Sequence, residues 1–137
     1  MVGKIPRKIR DKSSFANYLK KAEQFLRTMK DSIEYESYDS AALNGIHAVI
    51  SAIDAMLVFR YGIVSASQNH EDAIRLLIEL IPETETKIKS KHALAVIKQK
   101  TTVEYWDTLT TASEAREIAK HTERFFEWIK SKLPEIK

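Results

Sequence analysis

Apolar residues recur three or four positions apart along most of the chain, which is the spacing of amphipathic helices. Residues 13–35 carry such an apolar stripe opposite a charged face, and they predict a first helix. Residues 41–61 are apolar nearly all round, so we expect this second helix to be the central and most buried one. Asp39 or Ser40 is its predicted N-cap, and Gly62 is its predicted end.

A third, shorter helix follows the loop SASQNHED and is predicted over roughly residues 70–81. Ser67 or Asn69 is its predicted cap, since both side chains accept hydrogen bonds from the first turn of a helix. Pro82 is predicted to stop it, because proline cannot continue the hydrogen-bonding pattern of a helix.

Two further helices complete the pattern, one over about residues 84–100 and one from a Ser113 cap to about Leu133. Between them, KTTVEYWDTLTT is polar and β-branched, which indicates a helix end that runs into a loop. The three Gly and three Pro are too few for the tight turns of a sheet-rich chain. The sequence therefore predicts an all-α, up-down helical bundle of four long helices plus one short helix.

Positive charge is concentrated in two zones, although the net charge is only +3. Residues 1–12 hold five basic residues against one acid, and residues 87–100 hold five lysines and no acid. We interpret residues 1–12 as a basic N-terminal arm that precedes a single helical domain at residues 13–137. Both zones could meet phosphates, and the simpler alternative is a solubilising tail and a solvated helix face.

Composition also limits the cellular setting. The chain contains no Cys, which excludes disulfide and thiolate chemistry. It begins without the apolar segment of a secretory signal, and no apolar run reaches the ~18 residues of a membrane span. These features predict a cytoplasmic protein without membrane contact.

Four polar residues interrupt the apolar second helix, namely Asn44, His47, Ser51 and Asp54. Their spacing of three, four and three residues places them on one stripe of the helix surface. The stripe is a hydrogen-bonded interior seam, a subunit interface or a ligand site, and the sequence leaves these alternatives open. In a ligand site, His47 or Asp54 would bind a polar group, and His70 would reach the same cleft.

The motifs of common metal and phosphate sites are absent from the sequence. None of the four His has a Glu three positions before it, so the Glu-x-x-His motif of di-metal bundles is missing. Zinc-ligand spacings and Gly-rich phosphate loops are missing as well. We therefore expect no metal and no cofactor.

Four segments, taken in order, form a pattern that is shared with known proteins. The buried IHAVISAIDAML is followed by NHEDAIRLL, then by KTTVEY, and finally by the amphipathic SEAREIAKHTERFFEWI. In pattern and order this chain resembles the HEPN superfamily over roughly residues 13–133. The resemblance implies a small helical bundle, often a dimer, of a kind that acts in defence, toxin–antitoxin or RNA-processing systems.

The resemblance also implies one of two kinds of site. Catalytic members are metal-independent ribonucleases with an Arg followed, four to six residues later, by a His. Others lack that pair, accompany a nucleotidyltransferase and carry a motif like Arg-x-x-Ala-Asp-Tyr. KTTVEY is similar to this second motif, with Lys100, Glu104 and Tyr105 where the family has Arg, Asp and Tyr. Lys lacks the bidentate fork of Arg, and Tyr does not titrate near neutral pH, so this segment predicts binding without catalysis.

A literal Arg-x4-His also occurs in the chain, at Arg116 and His121. If this pair is the family's nuclease motif, Arg116 would place a phosphate and His121 would transfer a proton. Five residues of one helix turn through about 500°, which leaves the two side chains about 140° apart. They would therefore converge only across a dimer or with help from another helix.

Together, these patterns predict a dimeric, RNA- or nucleotide-associated binding or regulatory module without catalysis. The expected partners are a second copy of the chain and a separately encoded nucleotidyltransferase or toxin–antitoxin component. One alternative is a metal-independent ribonuclease that uses Arg116 and His121, and another is a purely structural dimer. The expected ligand contacts are His47, Asp54, His70, Lys100, Glu104 and Tyr105.

Overall fold

The structure, a computed structural model, describes residues 4–136. Its helical content is 73%, and the prediction of an all-α bundle is confirmed. In chain order, its elements are β1 (Arg7–Ile9), a 3₁₀ turn (Lys12–Ser14), α1 (Phe15–Glu34), α2 (Tyr38–Tyr61), β2 (Ile63–Ser65), α3 (Glu71–Leu80), α4 (Thr84–Ile97), α5 (Lys100–Tyr105) and α6 (Ala112–Ser131).

Helix α2 forms the centre of the bundle, and its apolar residues explain why. Ile46, Ile53 and Leu57 are completely buried between α1, α6 and the other helices. Burial of each such side chain stabilises the folded state by about 1.5–3 kcal/mol. Gly45 lets α6 approach closely, since a Cβ atom there would lie 2.9 Å from Cγ2 of Ile118.

The length of α2 also bears on membrane association. By length and composition alone, α2 could cross a membrane, with a mean hydropathy of 1.7, although the sequence pattern indicated no such run. However, 67% of that stretch is buried inside the bundle, and the core helix of a helical protein meets the same criteria.

The ends of α2 show one correction and one confirmation. The helix begins at Tyr38 with Ser37 as its N-cap, so the prediction of Asp39 or Ser40 was wrong. The carboxylate of Asp39 instead accepts a hydrogen bond of 2.7 Å from the backbone N–H of Thr110, which ties the loop before α6 to α2. Gly62 ends the helix as predicted, with a φ of 64° that favours glycine.

The segment after α4 forms a second correction. The pattern predicted one helix to residue 100 and then a loop, but α4 ends at Ile97 and α5 follows as a separate helix. Val103 of α5 is half-buried and packs against the core, which anchors this short helix. The KTTVEY segment is therefore held in a defined orientation.

The cap of α6 is Thr111 and not Ser113. The Thr111 hydroxyl accepts a hydrogen bond from the N–H of Glu114, and the Glu114 carboxylate accepts one from the N–H of Thr111. This reciprocal capping box satisfies two backbone donors at once. With Ser113 as its cap, the helix would instead begin two residues later.

The small sheet pairs two segments that the pattern did not predict as strands. β1 and β2 run antiparallel, with Arg7 opposite Ser65 and Ile9 opposite Ile63. The N–H of Arg10 then donates to the carbonyl of Gly62 at 2.7 Å. Part of the predicted basic arm is thus paired to the chain that leaves α2, while the division into arm and domain stays a prediction.

Candidate functional site

Helix α5 carries the first part of the candidate site. Lys100 and Glu104 lie one turn apart, and Nζ of Lys100 donates a hydrogen bond of 2.8 Å to Oε2 of Glu104. This hydrogen bond raises the pKa of Lys100 and lowers the pKa of Glu104. Both side chains are therefore charged at neutral pH, and they form a fixed ion pair.

His70 is placed by the loop before α3. His70 occupies the N-cap position, so the prediction of Ser67 or Asn69 was wrong. Oδ1 of Asn69 nevertheless accepts a hydrogen bond of 3.0 Å from the N–H of Glu71 in the first turn. Burial lowers the pKa of His70, the charges of Lys100 and His47 lower it further, and Glu104 opposes them. The ring is thus neutral at pH 7, with one donor and one acceptor nitrogen.

His47 joins this group from α2. Its ring centroid lies 5.3 Å from that of Phe25 on α1, and its charge acts on both His70 and Glu104. Residues from three separate parts of the chain are therefore close enough for their charges to interact. We call this group, which consists of His47, His70, Lys100 and Glu104, the α5 site.

Two aromatic side chains stand in solvent at the end of α5. Tyr105 is 75% exposed and Trp106 is 64% exposed. Nζ of Lys100 lies 5.8 Å from the centroid of the Tyr105 ring, so Tyr105 adjoins the α5 site, and Trp106 follows it in the chain. Sequence reasoning missed Trp106 because it treated this residue as part of a loop, although a Tyr-Trp pair in a polar segment was a usable signal.

The polar stripe of α2 does not form one site. Nδ2 of Asn44 donates to the carbonyl of Ser40 at 2.8 Å, which is a local contact within the helix. Ser51 is buried, and His47 belongs to the α5 site. Asp54 is half-buried beside Arg10 and Lys21, and its role as a ligand contact stays a prediction.

Burial gives Asp54 unusual acid–base properties. Desolvation raises the pKa of its carboxyl to about 7, against the opposing charges of Arg10 and Lys21. A shift of this size means that the folded protein holds a proton on Asp54 that the unfolded chain would release.

Arg116 and His121 contact different neighbours. The guanidinium of Arg116 lies over the ring of Tyr38, 6.0 Å from its centroid. The Nδ1 atom of His121 lies 2.8 Å from Nδ1 of His92 on α4. A single chain therefore does not bring Arg116 and His121 together, as their positions on one helix predicted.

A comparison with protein families identifies the fold. A model of the HEPN domain matches residues 15–132. The chain belongs to the HEPN family. This match covers most of the chain and confirms the predicted resemblance.

The HEPN family is associated with RNA-binding, nuclease or toxin–antitoxin roles. A comparison with curated proteins gave no match. Within residues 4–136, no group of three or more His, Asp or Glu side chains is arranged to hold a metal ion.

Proposed function

We propose that this HEPN domain binds RNA or a nucleotide through the α5 site without catalysing a reaction. One observation supports the proposal: the Lys100–Glu104 pair lies beside the exposed ring of Tyr105, and it is near enough to His47 and His70 for their charges to act on one another. Such a group of side chains offers a contact for each part of a nucleotide.

The chemistry of the α5 site suits a phosphate attached to a sugar and a base. The ammonium of Lys100 attracts the phosphate, and the neutral imidazole of His70 can bond to sugar hydroxyls and base edges. Tyr105 and Trp106 provide faces on which unpaired bases stack. Glu104 partly neutralises Lys100, so we expect weaker binding than in a purely basic groove.

The side chains of the α5 site support binding rather than catalysis. Metal-independent RNA cleavage needs a proton-transfer pair that titrates near neutral pH. In the α5 site, the hydrogen bond to Glu104 raises the pKa of Lys100, which makes it a weak acid, and burial lowers the pKa of His70. These groups suit recognition better than proton transfer.

We extend the proposal to a cytoplasmic homodimer that acts with a separately encoded nucleotidyltransferase or toxin–antitoxin component. The roles associated with the HEPN family support this extension. A protein partner would also cover Leu109, which is exposed near the aromatic pair in sequence. Asp54 is not part of this proposal.

Tryptophan fluorescence provides a direct test, because the chain has two Trp in contrasting environments. Trp106 is 64% exposed, whereas Trp128 is 6% exposed and its Nε1 donates to Glu85. The variant Trp128→Phe therefore leaves Trp106 as the only reporter. We expect single-stranded RNA or ATP to quench it, with RNA affinity falling steeply between about 50 and 200 mM salt.

Site variants show whether the quenching reports the α5 site. In the Trp128→Phe background, Lys100→Met should weaken RNA binding about fivefold through loss of a charge-assisted contact. Lys20→Met, on the exposed face of α1, removes a matched charge and should have a smaller effect. Equal losses in the two variants, or no quenching by either ligand, would contradict the proposal.

The ribonuclease alternative is tested in the same samples. Cleavage of the RNA in EDTA that disappears in His121→Ala would assign catalysis to Arg116 and His121 across a dimer. A purely structural dimer would show neither quenching nor cleavage. Changes in assembly alone, in a stripe variant such as Asp54→Ala, would favour that last alternative.

A further inference from the structure

Helices α4 and α6 bring two histidines into direct contact outside the α5 site. Nδ1 of His92 lies 2.8 Å from Nδ1 of His121, and the ring centroids are 5.1 Å apart. The two nitrogens thus face each other almost head-on. With both rings neutral, one Nδ1 carries the hydrogen and the other accepts it.

The position of Glu117 indicates which of the two rings accepts the hydrogen bond between the Nδ1 atoms. Its Oε1 atom lies 3.4 Å from Nε2 of His121, one turn along α6. A proton on Nε2 of His121 is attracted by this carboxylate, which leaves the Nδ1 lone pair pointing at His92. A carboxylate behind the remote nitrogen is also the usual support of a metal-binding histidine.

We propose that His92 and His121 together bind a divalent transition ion, such as Cu²⁺, Ni²⁺ or Zn²⁺, through their Nδ1 atoms. Two imidazole nitrogens at about 2.0–2.1 Å from one ion lie about 2.9–3.3 Å from each other. The two Nδ1 atoms therefore need to separate by only a few tenths of an ångström, and both rings rotate so that their lone pairs, which now point at each other, converge on the ion. His92 moves its hydrogen from Nδ1 to Nε2, so the ring stays neutral and water supplies the remaining ligands.

Space for those waters lies beside the pair. A surface pocket of about 250 Å³ is lined by His121, Glu117, Gln99 and three other residues of α4, α6 and their vicinity. Its polar side chains can hydrogen-bond to water bound to the ion. Imidazole ligands favour these transition ions over Mg²⁺, which prefers oxygen.

The surrounding charges set the expected strength of the site. Three basic side chains, Arg124, Lys89 and Lys120, act on His92 with their positive charge. These charges repel a dication. Glu117 offsets part of this repulsion, although it is paired with Lys120 at 2.9 Å. Two protein ligands in such a field predict a reversible, modest affinity rather than a permanent structural site.

Electron paramagnetic resonance with Cu²⁺ tests the ligands directly. One equivalent added to the full chain at pH 7.5 should show coupling to two imidazole nitrogens. In His92→Asn and His121→Asn the spectrum should lose one of them. Asn places a polar atom near the former Nδ1 position, so it keeps a hydrogen bond between α4 and α6. The matched control, His70→Gln, removes a histidine of the α5 site and should keep both nitrogens.

Thermal unfolding gives a second readout with Ni²⁺ alone. A saturating concentration should raise the Tm of the unaltered chain and of His70→Gln by about 3–6 °C, because binding to the folded state stabilises it. It should not raise the Tm of His92→Asn or His121→Asn, whose metal-free unfolding shows whether they fold. A contact that is only a hydrogen bond would give no Ni²⁺ shift, and a shift retained in both variants would place the ion elsewhere. Either result would overturn the proposal.

Discussion

The polar stripe on α2 has different surroundings near its start, at His47, and at its end, at Asp54, although both residues lie on the same face of the helix. The ring of His47 lies 5.3 Å from that of Phe25, and its charge acts on His70 and Glu104 in the proposed binding site. Asp54, two turns later, lies next to Arg10 and Lys21, where the N-terminal segment passes over the bundle. One stripe in the sequence has therefore become two sites, because different elements cover its two ends.

Asp54 and His70, which lies before α3 in the same site as His47, also respond to pH with opposite sign. The folded-state pKa of Asp54 is raised, so this group contributes stability that is present below about pH 3.8 and lost as the pH rises through about 7. The pKa of His70 is lowered from 6.5, so it contributes stability that is present above pH 6.5 and lost as the pH falls through the folded-state pKa. Variants at each end can separate these contributions.

The largest expected effect is at Asp54. Asp54→Asn should raise the free energy of unfolding at pH 8 by about 1–3 kcal/mol, since it removes a charge that the folded state desolvates. Near pH 4 the difference should vanish, because the folded state then holds Asp54 protonated. Urea unfolding at pH 4, 6 and 8 measures the difference in the free energy of unfolding between the variant and the unaltered chain. Asp31→Asn, at an exposed position, is the control. An increase of the same size at all three pH values would contradict the assignment.

Arg10 provides a smaller test of the same end. Its charge lowers the pKa of Asp54, and its Nε also donates to the Tyr18 hydroxyl at 3.2 Å. At pH 8, Arg10→Gln should lower the free energy of unfolding by about 0.5 kcal/mol more in the unaltered chain than in the Asp54→Asn variant. Because the Tyr18 contact is lost in both chains, its contribution drops out of this difference. Equal costs in both backgrounds would show that Arg10 does not act on Asp54.

The smallest effect is expected at His70. His70→Gln should flatten the loss of stability between pH 6.5 and 5, because glutamine has no proton to gain. The change is modest, since the ring is only partly buried and solvent screens its charge. Unfolding by urea at closely spaced pH values measures this slope. A slope as steep as that of the unaltered chain would mean that another group is responsible.

Ligand binding sharpens the contrast between the ends. Asp54→Asn should leave the RNA quenching of Trp106 unchanged, whereas His70→Gln should weaken it. If both variants weakened binding equally, the stripe would have to be treated as one continuous ligand site.

Some local features could be predicted from the sequence, and one was overlooked. Thr111 and Glu114 have the spacing of a capping box, which makes Thr111 a better cap than Ser113 on the sequence pattern alone. The strands β1 and β2 had no such signal, because three residues are too few to show a period. Their pairing depends on how the chain returns along α2.

The sequence by itself determined the longer helices, the central place of α2 and its end at Gly62, because hydrophobic spacing and backbone preference are local properties. It did not determine the break that separates α5 from α4. Only the tertiary structure decided which polar side chains meet. His92 and His121 are 29 residues apart, and His47 and Lys100 lie on different helices. Such contacts depend on how the helices pack against one another, and no local pattern specifies that packing.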